Sequence, residues 1–272
     1  MERFTKGPVP DAPPPVPGTP LPDGTAAVPS PVLPALLDGM PRQRGTAAGP
    51  VPEPAAAEPR PAAPRHLPLP RPWRLLPTPA GTPFTFVYAT VLAVTSLVAT
   101  RAEPGLVHTL YQDSSTDVAH LLRMPVPVLL ASALWVAGGL LSPYAAAFVL
   151  VLTALERRIG GVRAAGVFLA GHVLATLATE VPVGLAVLVG HLPATSLHRL
   201  DYGISFGVAA SVGALAGLLG PWLRWPLLVL AAGLLLDDLF AYADPLTDWG
   251  HLIALTIGVT AWPLVRRWAR RT

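Results

Sequence analysis

From residue 84 onward the chain carries six apolar runs, approximately 84 to 100, 135 to 155, 164 to 189, 203 to 219, 225 to 240 and 248 to 268. A bilayer core of roughly 30 Å takes about 20 apolar residues in helix, so each run is on the membrane scale. One such run is commonly the buried helix of a soluble domain. Six between residues 84 and 268, in a chain with only 13% charged residues, predict an all-α integral membrane protein with six transmembrane helices. The third run is long enough to tilt, or to break near Pro182.

The composition changes sharply before these runs. Of the 34 prolines, 23 fall in the first 80 residues, among stretches such as Pro13-Pro14-Pro15 and Ala55-Ala56-Ala57. Frequent proline removes backbone donors, and little branched or aromatic surface is present to offset chain entropy. Residues 1–78 are therefore expected to form a disordered Pro/Ala-rich cytoplasmic arm, and residues 79–272 the membrane domain. The arm's first apolar residues are interrupted by Pro10 and Pro13, so no cleaved secretory signal is expected. A spacer, or a polyproline segment docking on an aromatic groove, are both compatible with this composition.

The net charge of +3 does not point to nucleic acid, because the basic residues are short clusters between apolar runs rather than one polar face. Arg71 and Arg74, then Arg157, Arg158 and Arg163, then Arg224, then Arg266, Arg267, Arg270 and Arg271 all fall on one side if the runs number six. The opposite loops hold Arg101, Arg123 and Arg199, with Asp237, Asp238, Asp244 and Asp248. The asymmetry predicts a multi-pass protein of the cell membrane with both termini cytoplasmic. The long connection at about 101 to 134 contains Ser114-Ser115-Thr116-Asp117, a helix-start pattern, and is expected to hold an interfacial segment.

Ionisable groups at membrane depth are costly, so each is a functional candidate. Those present are His172 and Glu180 in the third run, His251 in the sixth, and Asp237 and Asp238 near the outer end of the fifth, with Ser205 and Ser211 as polar neighbours in the fourth. Ser205 and His251 each lie about one turn, ~5 Å, from the outer end of their runs and so at matching depth. Gly203, Gly207 and Ser211 form a small-residue ridge, with Ala254 and Gly258 on the face of His251, which lets the two helices approach. A serine is a poor nucleophile alone, and a histidine within reach can take its proton. The alternatives at this stage are a serine bonded to the carbonyl four residues back and a solvated interfacial histidine.

Gly203-Ile204-Ser205-Phe206-Gly207 also fits G-x-S-x-G, but that elbow has meaning only between a strand and a helix. His172 and Glu180 share a face with Thr176 between them, compatible with a hydrogen-bond seam or a proton path. No inverted repeat accompanies them. With no cysteine, thiol nucleophiles and thiolate metal sites are excluded, and the seven histidines are too scattered to predict a metal.

Over residues 84–272 the six spans, Gly203-Ile204-Ser205 opening the fourth, His251 with Gly258 in the sixth, and Leu155-Glu156-Arg157-Arg158-Ile159-Gly160 closing the second resemble the rhomboid intramembrane serine proteases. Gly213, eight residues after the serine, fits the same pattern, and Tyr202 through Gly207 looks most like the divergent rhomboid-like proteins of high-GC actinobacteria. Phe206 and Ala254 stand where the family has glycine, and Leu140 and Tyr144 stand where it has its His and Asn oxyanion pair. The resemblance implies a rhomboid-like six-helix bundle, catalytic Ser205 and His251, and no cofactor. Its partners would be transmembrane protein substrates cleaved near the outer face within the bilayer, with no nucleic acid. Ser142 and Tyr144 are the hydroxyls available to support an oxyanion. The alternative is a catalytically silent rhomboid-like protein that binds transmembrane clients.

Overall fold

The computed structural model describes residues 75–272, and every regular element in them is helical. The expected N-terminal arm lies almost wholly outside the described residues. In chain order the helices are α1 (Pro83–Arg101), α2 (Pro104–Asp113), α3 (Val118–Arg123), α4 (Pro125–Ser132), α5 (Pro143–Ala147), α6 (Thr153–Ile159), α7 (Gly161–Leu188), α8 (Ser205–Ala216), α9 (Pro221–Ala241), α10 (Pro245–Thr260) and α11 (Trp262–Ala269). A π-helical stretch, Phe148–Leu152, joins α5 to α6, and a 3-10 turn, Ala194–His198, follows α7.

Proline at the first turn opens α1, α2, α4, α5, α9, α10 and α11. Its missing N–H costs nothing there and its fixed φ suits the helix. The start of α1 has no side-chain cap of its own. Instead the Glu156 carboxylate of α6 reaches it: Oε1 accepts from Phe84 N–H at 3.0 Å, and Oε2 accepts from Thr85 N–H at 2.8 Å and the Thr85 hydroxyl at 2.7 Å. An anion at a helix N-terminus satisfies donors that have no intrahelical partner. Gly160, at φ 85°, ends α6, and a Cβ on Gly161 would come within 2.8 Å of Glu156 Oε1. The E-x-x-x-G signature is thus a remote cap plus the turn that makes room for it.

Helix α8 is the central element, with every residue from Phe206 to Ala216 buried. Its neighbours touch it at backbone range. A Cβ on Gly258 would fall 1.9 Å from Ala210 O, one on Gly213 2.3 Å from Leu255 O, and one on Gly171 2.1 Å from the Ala210 Cβ. Small residues let helix backbones meet where lipid supplies no hydrophobic drive. The pairing differs from the sequence expectation in detail. Gly207 faces the Phe168 ring of α7 rather than α10, and Gly203 lies before the helix at φ 126°. Gly213 and Ala210 are the residues that seat Gly258.

Around α8, Tyr88, Phe148 and Phe168 form an edge-to-face trio with centroids 5.0 to 6.0 Å apart, joining α1, the π-helical stretch and α7. The C-terminal end of α8 is closed by cations and an indole. Trp262 Nε1 donates to Gly213 O, Arg266 Nε to Gly217 O, and Arg224 to Ala216 O and Leu219 O. Both guanidinium groups lie about 5 Å from the Trp262 ring.

Three apolar runs differ from the helices drawn above. The second begins as helix only at Pro143, because Gly138 and Gly139 both take positive φ and turn the chain first. Pro182 does not break α7, which continues for 28 residues. Proline is tolerated in membrane helices where neighbours satisfy the freed carbonyl. The sixth run is two helices meeting at Ala261. In the long connection, Asp117 caps α3 by accepting from His120 N–H at 2.9 Å, where the sequence places a helix start. Among the described residues, α1 and α7 are long and apolar enough to cross a membrane.

Candidate active site

Ser205 is the first residue of α8 and half-buried. The segment before it is extended and pinned on both sides. Asp201 O accepts from Thr116 N–H at 2.7 Å, Asp201 N–H donates to the Ser115 hydroxyl, and the Asp201 carboxylate accepts from the Thr116 hydroxyl at 3.1 Å. Gly203 N–H donates to Ser132 O at 3.0 Å and Ile204 N–H to Trp135 O at 3.1 Å. The φ of 126° at Gly203, which side chains disfavour, swings the chain from these anchors into α8. Intrahelical bonding resumes at Val208, whose N–H donates to Ile204 O, so the N–H groups of Ser205, Phe206 and Gly207 open the helix without a partner one turn back.

His251, in the second turn of α10, is 5% exposed. Its imidazole lies between two aromatic rings. Tyr144 of α5 stacks on it at 5.3 Å with planes 22° apart, and Phe206 of α8 meets it edge-on at 5.1 Å. Neither ring nitrogen has a hydrogen-bond partner among the described residues. Ser205 and His251 therefore share one end of the α8/α10 pair, linked through Phe206, but no hydrogen bond joins them. Gly250 allows this approach, since a Cβ there would strike the Phe206 ring at 2.4 Å.

The supporting hydroxyls take different places. Ser142 is the cap of α5, its Oγ accepting from Ala145 N–H at 3.2 Å. Tyr144 meets His251 with its ring face, and Asp238 and Asp248 are its charged neighbours. Ser211 donates to Gly207 O at 2.7 Å, the bond to the carbonyl four residues back.

His172 and Glu180 do not converge on one another. His172 Nε2 lies 3.0 Å from the Ser132 hydroxyl and 3.1 Å from Leu129 O, tying α7 to the end of α4. Because Ser132 O also holds Gly203, this bond supports the segment leading to Ser205. Glu180 pairs with Arg199 at 2.5 Å. That arginine also reaches Asp244 at 3.3 Å, Thr247 at 3.0 Å and Asp201 at 3.6 Å, fastening the loop that leads into α8 to α7 and to the start of α10.

Sequence reading missed three contributors: Ser132, Phe206 as a neighbour of His251, and Arg199 as a hub. Only Arg199 had a visible cue, as one of few cations in the loops that also hold Asp237, Asp238, Asp244 and Asp248. The bonds of Ser132 and the edge contact of Phe206 depend on helix rotation, which periodicity in a uniformly apolar run does not report. Among the described residues no cluster of His, Asp and Glu has the makings of a metal site.

Residues 80–271 match the family model described as "Rhomboid-like protein", and the chain belongs to that family. It is thus a membrane protein of the rhomboid superfamily. No curated protein and no solved structure matches the chain.

Proposed function

We propose that this protein is a six-span rhomboid-like intramembrane serine endopeptidase with both termini cytoplasmic, cutting transmembrane substrates near the outer face. The reading is carried by the shared position of Ser205 and His251 at one end of the α8/α10 pair, with His251 held between Tyr144 and Phe206. Six spans and the inner face rest on the apolar runs and the arginine asymmetry.

In this mechanism a substrate carbonyl enters beside the start of α8. Ser205 Oγ attacks the carbonyl carbon while His251 takes the hydroxyl proton. The carbonyl oxygen gains the negative charge and is met by the free N–H groups that open α8, with the positive helix end behind them. Collapse breaks the C–N bond, and His251 gives its proton to the leaving amine. Water then adds to the acyl-serine with His251 as base, releasing the acid and restoring Ser205. Closure of the gap between Ser205 and His251 belongs to substrate binding, since catalytic hydrogen bonds are often long in an empty site.

A fluorophosphonate probe tests the assignment. Wild type should label, and Ser205→Ala and His251→Ala should not; labelling that survives Ser205→Ala would end it. The second reading, a silent rhomboid-like protein that holds transmembrane clients, is favoured by the absent Ser205–His251 hydrogen bond and by Leu140 and Tyr144 in place of the oxyanion pair. Crosslinked intact single-pass clients without cleavage would support it. Cleavage of a purified transmembrane substrate would refute it.

A further inference from the structure

A cavity away from Ser205 lies between α3, the second half of α7 and the 3-10 turn. It has a volume of about 500 Å³, within the roughly 300 to 1,000 Å³ of small-molecule sites. Val118 and Leu121 of α3, Leu177, Gly184 and Leu185 of α7, and Leu197 supply apolar lining, and Glu180 is its one ionisable residue. Leu122 and Leu188 at its margin are about four-fifths exposed, so the groove opens to the surroundings of the bundle.

Glu180 is 1% exposed, yet only half of its carboxylate is engaged. Oε1 is held by Arg199, while Oε2 has no hydrogen-bond partner among the described residues. The Arg199 Nε is likewise buried without an acceptor. Buried polar atoms left in this state are costly unless a ligand or water completes them. One guanidinium faces three carboxylates here, Glu180, Asp201 and Asp244, which disfavours an anionic occupant. Apolar walls, an open acceptor and an acidic surplus together select an alkyl chain with a neutral, donating head.

We propose that this groove binds a single-chain neutral lipid of the monoacylglycerol type, with its chain along α3 and α7 and a head-group hydroxyl donating to Glu180 Oε2. A fatty-acid anion would place a carboxylate against Glu180, and a plain hydrocarbon would leave Oε2 unmet. The site stands apart from the proteolytic reading, because neither Ser205 nor His251 lines it.

The experiment uses full-length Ser205→Ala protein in phospholipid nanodiscs, so its outcome is independent of catalysis. Three photo-crosslinking probes of equal chain length are compared at pH 8: a diazirine monoacylglycerol, the matching fatty acid and the matching hydrocarbon. The monoacylglycerol should label α3 and α7 saturably, at least tenfold above the other two. Gly184→Phe, which fills the groove, should abolish that labelling, while Leu230→Phe on exposed α9 should leave it. If Gly184→Phe does not fold, competition by unlabelled monoacylglycerol at the unmodified groove gives the same answer. Glu180→Gln should keep the chain bound but admit the fatty acid to within threefold. Equal, unsaturable labelling by all three probes would mean bulk lipid only, and fatty-acid labelling as strong as monoacylglycerol labelling would refute the head-group assignment.

Discussion

Tyr144 lies flat against His251, ring centroids 5.3 Å apart, from a helix that in sequence precedes it by more than a hundred residues. The contact assigns Tyr144 an orienting part through its ring. Under the protease reading, Tyr144→Phe should retain cleavage of a transmembrane substrate within about threefold, while Tyr144→Ala should lose about tenfold, an aromatic contact being worth roughly 0.5 to 1.5 kcal/mol. Equal losses in both variants would return the role to the hydroxyl.

Glu156, only 4% exposed, accepts from three donors at the start of α1. Charge-assisted bonds of this kind contribute about 1.5 to 3 kcal/mol each, non-additively. Thermal unfolding in detergent should show Glu156→Ala destabilised by about 3 kcal/mol or more, with Glu156→Gln recovering part. An unchanged melting temperature in Glu156→Ala would contradict the remote cap.

The glycines divide by what surrounds them. Gly258→Ala places a carbon 1.9 Å from Ala210 O and should destabilise by about 1 to 3 kcal/mol. Gly233 of α9 has open space around it, and Gly233→Ala should be neutral or stabilising by up to about 1 kcal/mol through helix propensity. Chemical denaturation of the two variants side by side checks the contrast.

Burial pushes the Asp201 carboxyl above its ordinary 3.8, against the pull of Arg199 and Thr116. The folded chain then holds that proton more tightly than the unfolded chain. Its contribution to stability is complete below about 3.8 and declines as pH rises through the raised native value. The stability of wild type relative to Asp201→Asn should therefore fall with rising pH across that interval, read from melting temperatures at successive pH values. A difference that grows with pH would reverse the sign and refute the burial argument.

Where the sequence was legible, a local rule and the global fold agreed. Helices occupy most of each apolar run, Asp117 capped α3, and Glu156 four residues before Gly160 marked a built junction. It was illegible where the answer depends on helix rotation. Gly207 and Gly213 are equally plausible contact glycines by spacing, and only the packing sends one to Phe168 and the other to α10. Of the two outcomes open for the third run, a break at Pro182 did not occur, because neighbouring helices can satisfy the carbonyl that proline frees. That Ser205 and His251 share one end of a helix pair could be read from their positions in the runs, but their separation could not, since it depends on helix rotation.

Under the proposed topology, the arginines at the C-terminal end of α8 serve two masters that ask for different chemistry. Orientation across a bilayer counts positive charge and accepts lysine equally, whereas Arg224 and Arg266 also lay a planar, multiply donating group on helix-end carbonyls and along an indole. Exchange for lysine at these two positions would keep the chain's direction of insertion and still leave the helix that bears Ser205 loosely terminated. Topogenesis and rigidity are thus separable here by a change that conserves charge.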